Sequence, residues 1–246
     1  MGTDLIYRLV FGKELPIKKE SAMNLDELIE EVSEYSKEHT MLAKAHHFTF
    51  AKLHPKSLSE EIEFVVMGMN PGETKQDWKE HPGNLHEETC RHDFRGVKKL
   101  GTNSENWHDN VSYFCGTSDV FLTEAFFWSS ANTGKAFEEK FGATVKCPCI
   151  RPHFNFCRDQ NLQLIEELNP RVVIAPGLTW RKFIASIYGL KEVKTIYCDN
   201  KPTHRLIVEY IDASRRPWIF TKHWSGARGF TNSQKDKIAK YIQAIP

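Results

Sequence analysis

This chain of 246 residues has no apolar run approaching the roughly 20 residues that a bilayer-crossing helix needs. Met1 to Gly12 also lacks the basic-then-apolar layout of a secretory leader. Both absences point to a soluble, cytoplasmic protein with no membrane partner. Cysteine is sparse: six residues scattered over this length do not make a disulfide framework, so reduced thiols are the expectation. The net charge is only +1, which excludes a basic coating over the whole surface. Repeats and low-complexity tracts are missing too, which excludes solenoids and unstructured arrays.

What the composition does supply is a core. A chain that is 40% hydrophobic and 26% charged is long enough for one substantial core and short for two. Residues 1–58 read as a helical extension packed on that core, and residues 59–246 as an α/β domain. In the extension Leu25, Leu28, Ile29, Val32 and Tyr35 recur at helical spacing after Asn24 or Asp26, and the helix continues toward Ala45. Beyond it, strands are expected at Ile62 to Met67, Asp119 to Phe127, Arg171 to Ala175, His204 to Ile211 and Trp218 to Thr221. Helices are expected over Cys157 to Leu168, Leu178 to Tyr188 and Ser233 to Ile245. The stretch from Glu73 to Asn110 is polar and weakly periodic, a long loop with short helices, and such segments are usually functional. The alternation predicts a central, mostly parallel sheet of about four strands flanked by helices on both faces.

Charge is uneven along the chain. From Lys201 onward nine Lys or Arg stand against three acids, whereas from Met1 to Ile62 eight basic residues stand against eleven acids. A basic final third is what a phosphate-tracking surface requires; a solvated helix face is the alternative.

The most informative residues are Ile62 to Gly72, an apolar strand that runs into the turn Gly68-Met69-Asn70-Pro71-Gly72. A continuous apolar run marks a parallel strand buried on both faces, and ligands collect where such strands end. Asn70 is the first polar side chain there. Gly68 and Gly72 let the backbone approach a ligand, and Pro71 fixes one dihedral and removes a donor. The other reading of Asn70 is an Asx-turn closing on its own backbone.

Gly68-Met69-Asn70-Pro71-Gly72 resembles the first motif of the uracil-DNA glycosylase superfamily, most of all its mismatch-specific and single-strand-selective monofunctional branches. Cys157 to Gly177 is similar to the superfamily's helix and strand before the second half of the sheet. Trp218 to Gly226 resembles the strand that ends in its second motif, usually His-Pro-Ser, with Trp224 here in place of the proline. The resemblance covers roughly residues 60–245.

It implies a monofunctional, cofactor-free enzyme, expected to be a monomer, that hydrolyses the bond between a base and its sugar in DNA. Its location would then be wherever DNA resides, nucleoid or nucleus. Catalysis falls to Asn70, which positions the water, and to His223, which stabilises the departing base. Gly68 and Met69 would lie at the base, with Trp78 or Phe94 stacking on it. Pro71, Gly72, Ser225, Gly226 and Arg228 would contact DNA, and Trp224 could stack on an exposed base.

Glu124 stands where many superfamily members carry an Asn that reads uracil. An ionised carboxylate accepts but does not donate, so a protonated Glu124 or a base with an exocyclic amine fits better. The alternative is that Asn132 supplies the amide. For the cysteines, half of the thiolates of an iron–sulfur branch are missing, and a zinc site from Cys147, Cys149, His153 and Cys157 would have unusually tight spacing. No metal is expected. Two other readings of the same fold are a DNA-binding module without catalysis and an enzyme of free nucleosides or nucleotides.

Overall fold

The apolar run that opens the first motif becomes a strand buried on both faces, and a sheet is built outward from it. The computed structural model describes residues 25–42, 45, 50–52, 62–72, 104–117, 119–199, 201–224 and 230–246. In chain order these form helix α1 (Leu25–Glu38), strands β1 (Phe50–Lys52) and β2 (Phe64–Gly68), helix α2 (Ser104–Cys115), strand β3 (Val120–Glu124) and helix α3 (Lys135–Phe141). A 3₁₀ turn at Pro148–Ile150 leads into α4 (Arg151–Leu168), followed by β4 (Val172–Pro176), α5 (Arg181–Tyr188), β5 (Lys191–Cys198), β6 (Lys201–Ile211), β7 (Pro217–Thr221) and α6 (Asn232–Gln243).

The architecture is α/β, but the sheet has seven strands, in the order β1-β3-β2-β4-β7-β6-β5, where about four were expected. Its central strands β3, β2, β4 and β7 are mutually parallel. The surplus lies at the margins, where β1 runs antiparallel to β3, and β6 and β5 form an antiparallel hairpin beside β7. β5 escapes a reading by hydrophobic pattern because, as an edge strand, it leaves both faces largely in solvent.

Alternate residues of the central strands enter two separate cores, as the period of two requires. Val65, Met67, Val173, Ala175, Trp218 and Phe220 face one core, shared with α1, α3, α4 and α5. Phe64, Val66, Val172, Ile174 and Ile219 face the other, closed by Val111 and Phe114 of α2 and by Ile238 and Ile242 of α6. Each fully buried Val, Ile or Phe stabilises the fold by about 1.5–3 kcal/mol, so both layers are firmly anchored.

The chain before residue 59 shares this framework. Leu28 and Val32 of α1 are buried, and Ser36 is buried beside them. Ser36 Oγ donates to Val32 O (2.9 Å) and accepts from the indole Nε1 of the buried Trp128 (2.7 Å). Tyr35 stacks on Phe156 of α4 with ring centroids 3.8 Å apart. With β1 also paired to β3, the extension is continuous with the rest in both core and sheet, and the sheet runs across the 58/59 division. Ser36→Ala strands the Trp128 N–H in an apolar interior, and urea unfolding should show a loss of about 1–3 kcal/mol. A change within error would mean that α1 is only loosely docked.

Candidate functional site

Four parallel strands deliver their carboxyl ends to one rim of the sheet, the edge where open α/β sheets bind ligands. Register places the motif residues along it. Val66, Ile174 and Ile219 form one row across β2, β4 and β7. Asn70 and His223 each come two residues after the ends of their strands, β2 and β7, on the carboxyl side of the sheet. β4 separates their strands, a lateral gap of about 10 Å at the usual spacing of parallel neighbours.

Asn70 is held by the chain that follows β3. Its Nδ2 donates to Ser130 Oγ (2.8 Å), Pro71 O (3.2 Å) and, more weakly, Trp128 O (3.4 Å). Backbone carbonyls can only accept, so the amide nitrogen must face them and Oδ1 is turned the other way. Ser130, buried, is itself oriented by donating to Asn132 O (2.8 Å). The bond to Pro71 O is local but is not an Asx-turn, in which Oδ1 would accept from the N–H of residue 72; the other two reach residues some sixty positions away. The hold of Ser130 on Asn70 was not legible in the sequence.

Glu124 pairs in register with Gly68 on the adjacent strand. Its carboxyl lies where a side chain of Gly68 would be: a Cβ added to Gly68 would come 2.6 Å from Glu124 Cδ and 2.7 Å from Oε1. The space at Gly68, expected to admit a ligand, is therefore filled by this acid. The residue keeps some exposure, but Oε2 is sealed from solvent and has no hydrogen-bond partner. Burial raises the carboxyl from its ordinary 4.5 to about 8, so it is mostly neutral at pH 7. From the opposite core, the buried Asn161 of α4 clamps the strand end, donating to Glu124 O (2.8 Å) and accepting from Thr123 Oγ1 (2.5 Å). Asn132, the alternative amide, lies beyond β3, where its Oδ1 accepts from Gly134 N (2.8 Å) and Ala136 N (3.3 Å) at the start of α3. It is occupied as a turn and helix-start residue.

His223 is exposed and stacks on Trp107 of α2, with centroids 5.7 Å apart and planes inclined by 28°. Trp107 lies between the first motif and β3, in a stretch whose sequence pattern does not distinguish it. Trp224 corrects an expectation: it is 1% exposed, stacked on Phe114 at 4.5 Å within the α2–α6 core. It cannot offer a face to a base. Its carbonyl accepts from Asn110 Nδ2 (2.9 Å), and its indole Nε1 is buried without a partner.

The chain matches no protein-family model and no curated protein.

The remaining expectations divide. Met69 is turned into the core opposite Glu124, and its carbonyl accepts from Phe126 N (3.0 Å), so its side chain is not available to a base on the Glu124 face. Pro71 is buried with its carbonyl bonded to Ser130 N (3.1 Å), which makes it a turn anchor and not a DNA contact. Gly72 is exposed with open space around it. Trp78, Phe94, Ser225, Gly226 and Arg228 lie outside the described residues.

The basic final third is also redistributed. Arg215 and Arg216 precede β7, at the edge opposite His223, where Arg216 donates to Pro170 O (3.0 Å) and Asn169 Oδ1 (2.9 Å). Lys237 is paired with Asp199 at 2.5 Å. Arg205, by contrast, is exposed on β6, two residues beyond the Ile207–Thr221 pair.

Of the cysteines considered for zinc, Cys147 and Cys149 are joined as a disulfide, which departs from the reduced-thiol expectation; the 3₁₀ turn brings their Cα atoms to 5.3 Å. His153 Nδ1 is bonded to Tyr35 OH (3.0 Å), and Cys157 is buried. Among the described residues no group of three or more His, Cys, Asp or Glu forms a metal site, and no helix is long and apolar enough to cross a membrane.

Proposed function

We propose that the rim carrying Asn70 and His223 is the active site of a DNA glycosylase-like hydrolase, which removes a damaged or deaminated base from DNA. The observation that carries this reading is the fixed amide of Asn70. Three acceptors hold Nδ2, which leaves Oδ1 to accept a hydrogen bond from a water and aim its oxygen at the anomeric carbon. An amide is a poor base. The reaction tolerates this because the sugar develops positive charge as the base departs, and the incoming water sheds its proton late.

His223 stands across the rim to donate a hydrogen bond to the base as it gathers negative charge, an electrostatic role that a neutral imidazole can fill. Trp107 backs the ring and limits its rotation. The glycosidic bond is inaccessible in stacked duplex, so the nucleotide must be extruded, a mechanism established for glycosylases as a class. Arg205 and Gly72, both exposed, flank the rim where the DNA backbone would pass.

The test is incubation with single- and double-stranded oligonucleotides carrying uracil, hypoxanthine, xanthine or oxidised pyrimidines, with free base read by mass spectrometry and abasic sites by alkaline cleavage. Release from at least one substrate, lost in Asn70→Ala and reduced at least about tenfold in His223→Ala, is expected. No release from any substrate, or release that both variants retain, contradicts the proposal.

A further inference from the structure

We propose that Cys147 and Cys149 form a thiol–disulfide exchange site, which takes two electrons from a dithiol and gives them up again to a disulfide. This is independent of the glycosylase reading. The pair stands in Cys147-Pro148-Cys149, at the 3₁₀ turn that leads into α4, bridged with its Cα atoms 5.3 Å apart. A disulfide that acts as a staple closes a long stretch of chain, because its main effect is to restrict the unfolded state. This one encloses Pro148 alone and restricts almost nothing. Exposure also sets it apart: Cys149 is exposed and Cys147 half-buried, whereas Cys115, Cys157 and Cys198 are buried free thiols. Exposed disulfides are the labile ones, since an attacking thiolate must reach a sulfur. Local charge favours that approach, because the chain from Gly142 to Cys157 carries Lys146 and Arg151 and no acid.

The turn keeps its shape without the bridge. Cys147 N donates to Thr144 O (2.9 Å) and Ile150 N to Cys147 O (3.2 Å), while Val145 and Ile150 anchor the two sides in the core. Pro148 fixes a dihedral between the two cysteines. The reduced sulfurs therefore stay within reach of each other, and the bridge can close again.

The exchange runs in two steps. A thiolate of the dithiol attacks Cys149 Sγ, the exposed sulfur, and the bond to Cys147 breaks with its electron pair leaving on Cys147 Sγ. Cys149 N already donates to that sulfur (3.4 Å), so the departing thiolate is met by an N–H. The second thiol of the reagent, deprotonated, then attacks the reagent's own sulfur in the mixed disulfide and releases Cys149 as a thiolate. The reagent ends as a disulfide; the protein gains two electrons and the two thiol protons. A disulfide reagent drives the same steps in reverse.

The experiment treats the folded, full-length protein with dithiothreitol or with a reduced thioredoxin, then alkylates it with iodoacetamide and maps the labels by peptide mass spectrometry. Labels should appear on both Cys147 and Cys149 with an unchanged circular dichroism spectrum, and oxidised glutathione should then restore the bridge without remaining attached. Reduction by thioredoxin at least about tenfold faster than by dithiothreitol at equal concentration assigns the natural reductant to a protein dithiol; a smaller ratio assigns it to a small one. Cys147→Ser should retain glutathione on Cys149, and Cys149→Ser should acquire it on Cys147 at least about tenfold more slowly. The variant with both substitutions should unfold at the wild-type urea concentration. Labels that appear only after unfolding, a reduced pair that keeps glutathione instead of closing, or a double variant that unfolds at clearly lower urea overturns the exchange site. Equal rates in the two single variants overturn Cys149 as the attacked sulfur.

Discussion

Asn70→Ala should lower base release by at least about a hundredfold, with little change in DNA affinity, because the lost interaction matters to the attacking water and not to the ground-state complex. Loss of one oriented polar group in a preorganised site typically costs two to three orders of magnitude in rate. The partners of Asn70 sharpen the expectation. Asn70→Asp should not rescue activity, because it would point a carboxylate oxygen at the carbonyls of Pro71 and Trp128, which offer no proton. Ser130→Ala should cost about threefold to tenfold, since those carbonyls still hold the amide. Single-turnover rates on a duplex and a single-stranded substrate would show this ranking. An Asn70→Asp variant as active as wild type would mean that the observed bonds do not persist when DNA is bound.

Glu124→Gln should make the protein more stable, increasingly so as pH rises from 5 to about 8. In the unfolded chain this carboxyl gives up its proton near 4.5, whereas in the folded protein burial holds the proton to about 8. Between those values the unfolded state binds fewer protons, so wild-type stability declines with rising pH and levels off once the folded carboxyl also ionises. At about 1.4 kcal/mol per pH unit the full effect is a few kcal/mol, a large share of the stability of any domain. Glutamine fills the same volume and avoids the titration. Urea unfolding at pH 5, 7 and 9 should give curves for the two proteins that converge at the lowest pH and separate above it. Parallel curves would show that the carboxyl is solvated in solution.

A buried acid with an orphaned oxygen, kept at this cost beside the first motif, is the kind of local strain that proteins retain at functional sites. Its environment could not be read from sequence. Glu124 was assigned to β3 from the apolar residues around it, but only the parallel pairing with Gly68 shows what fills the glycine's space. β2, β4 and β7 were legible because strands buried on both faces are continuously apolar. The short edge strand β1 and the exposed strand β5 carry no such signal. Trp224 was misjudged for a related reason: an aromatic beside a motif histidine suggests stacking on a base, yet the chain after β7 turns it toward Phe114. Trp107 and Ser130 come from segments with weak periodicity, and their roles arise from long-range contacts that only the folded chain creates. The count of basic residues misled in part, since Arg216 and Lys237 serve internal bonds.

The most direct measurement is a crystal structure of the protein bound to a duplex or single strand carrying 2′-fluoro-deoxyuridine. The extruded base should lie at the carboxyl rim between Asn70 and His223, with Oδ1 of Asn70 bonded to a water below the anomeric carbon. DNA seated on another face, or a base that remains stacked while Asn70 and His223 open onto separate surfaces, would contradict a shared active site.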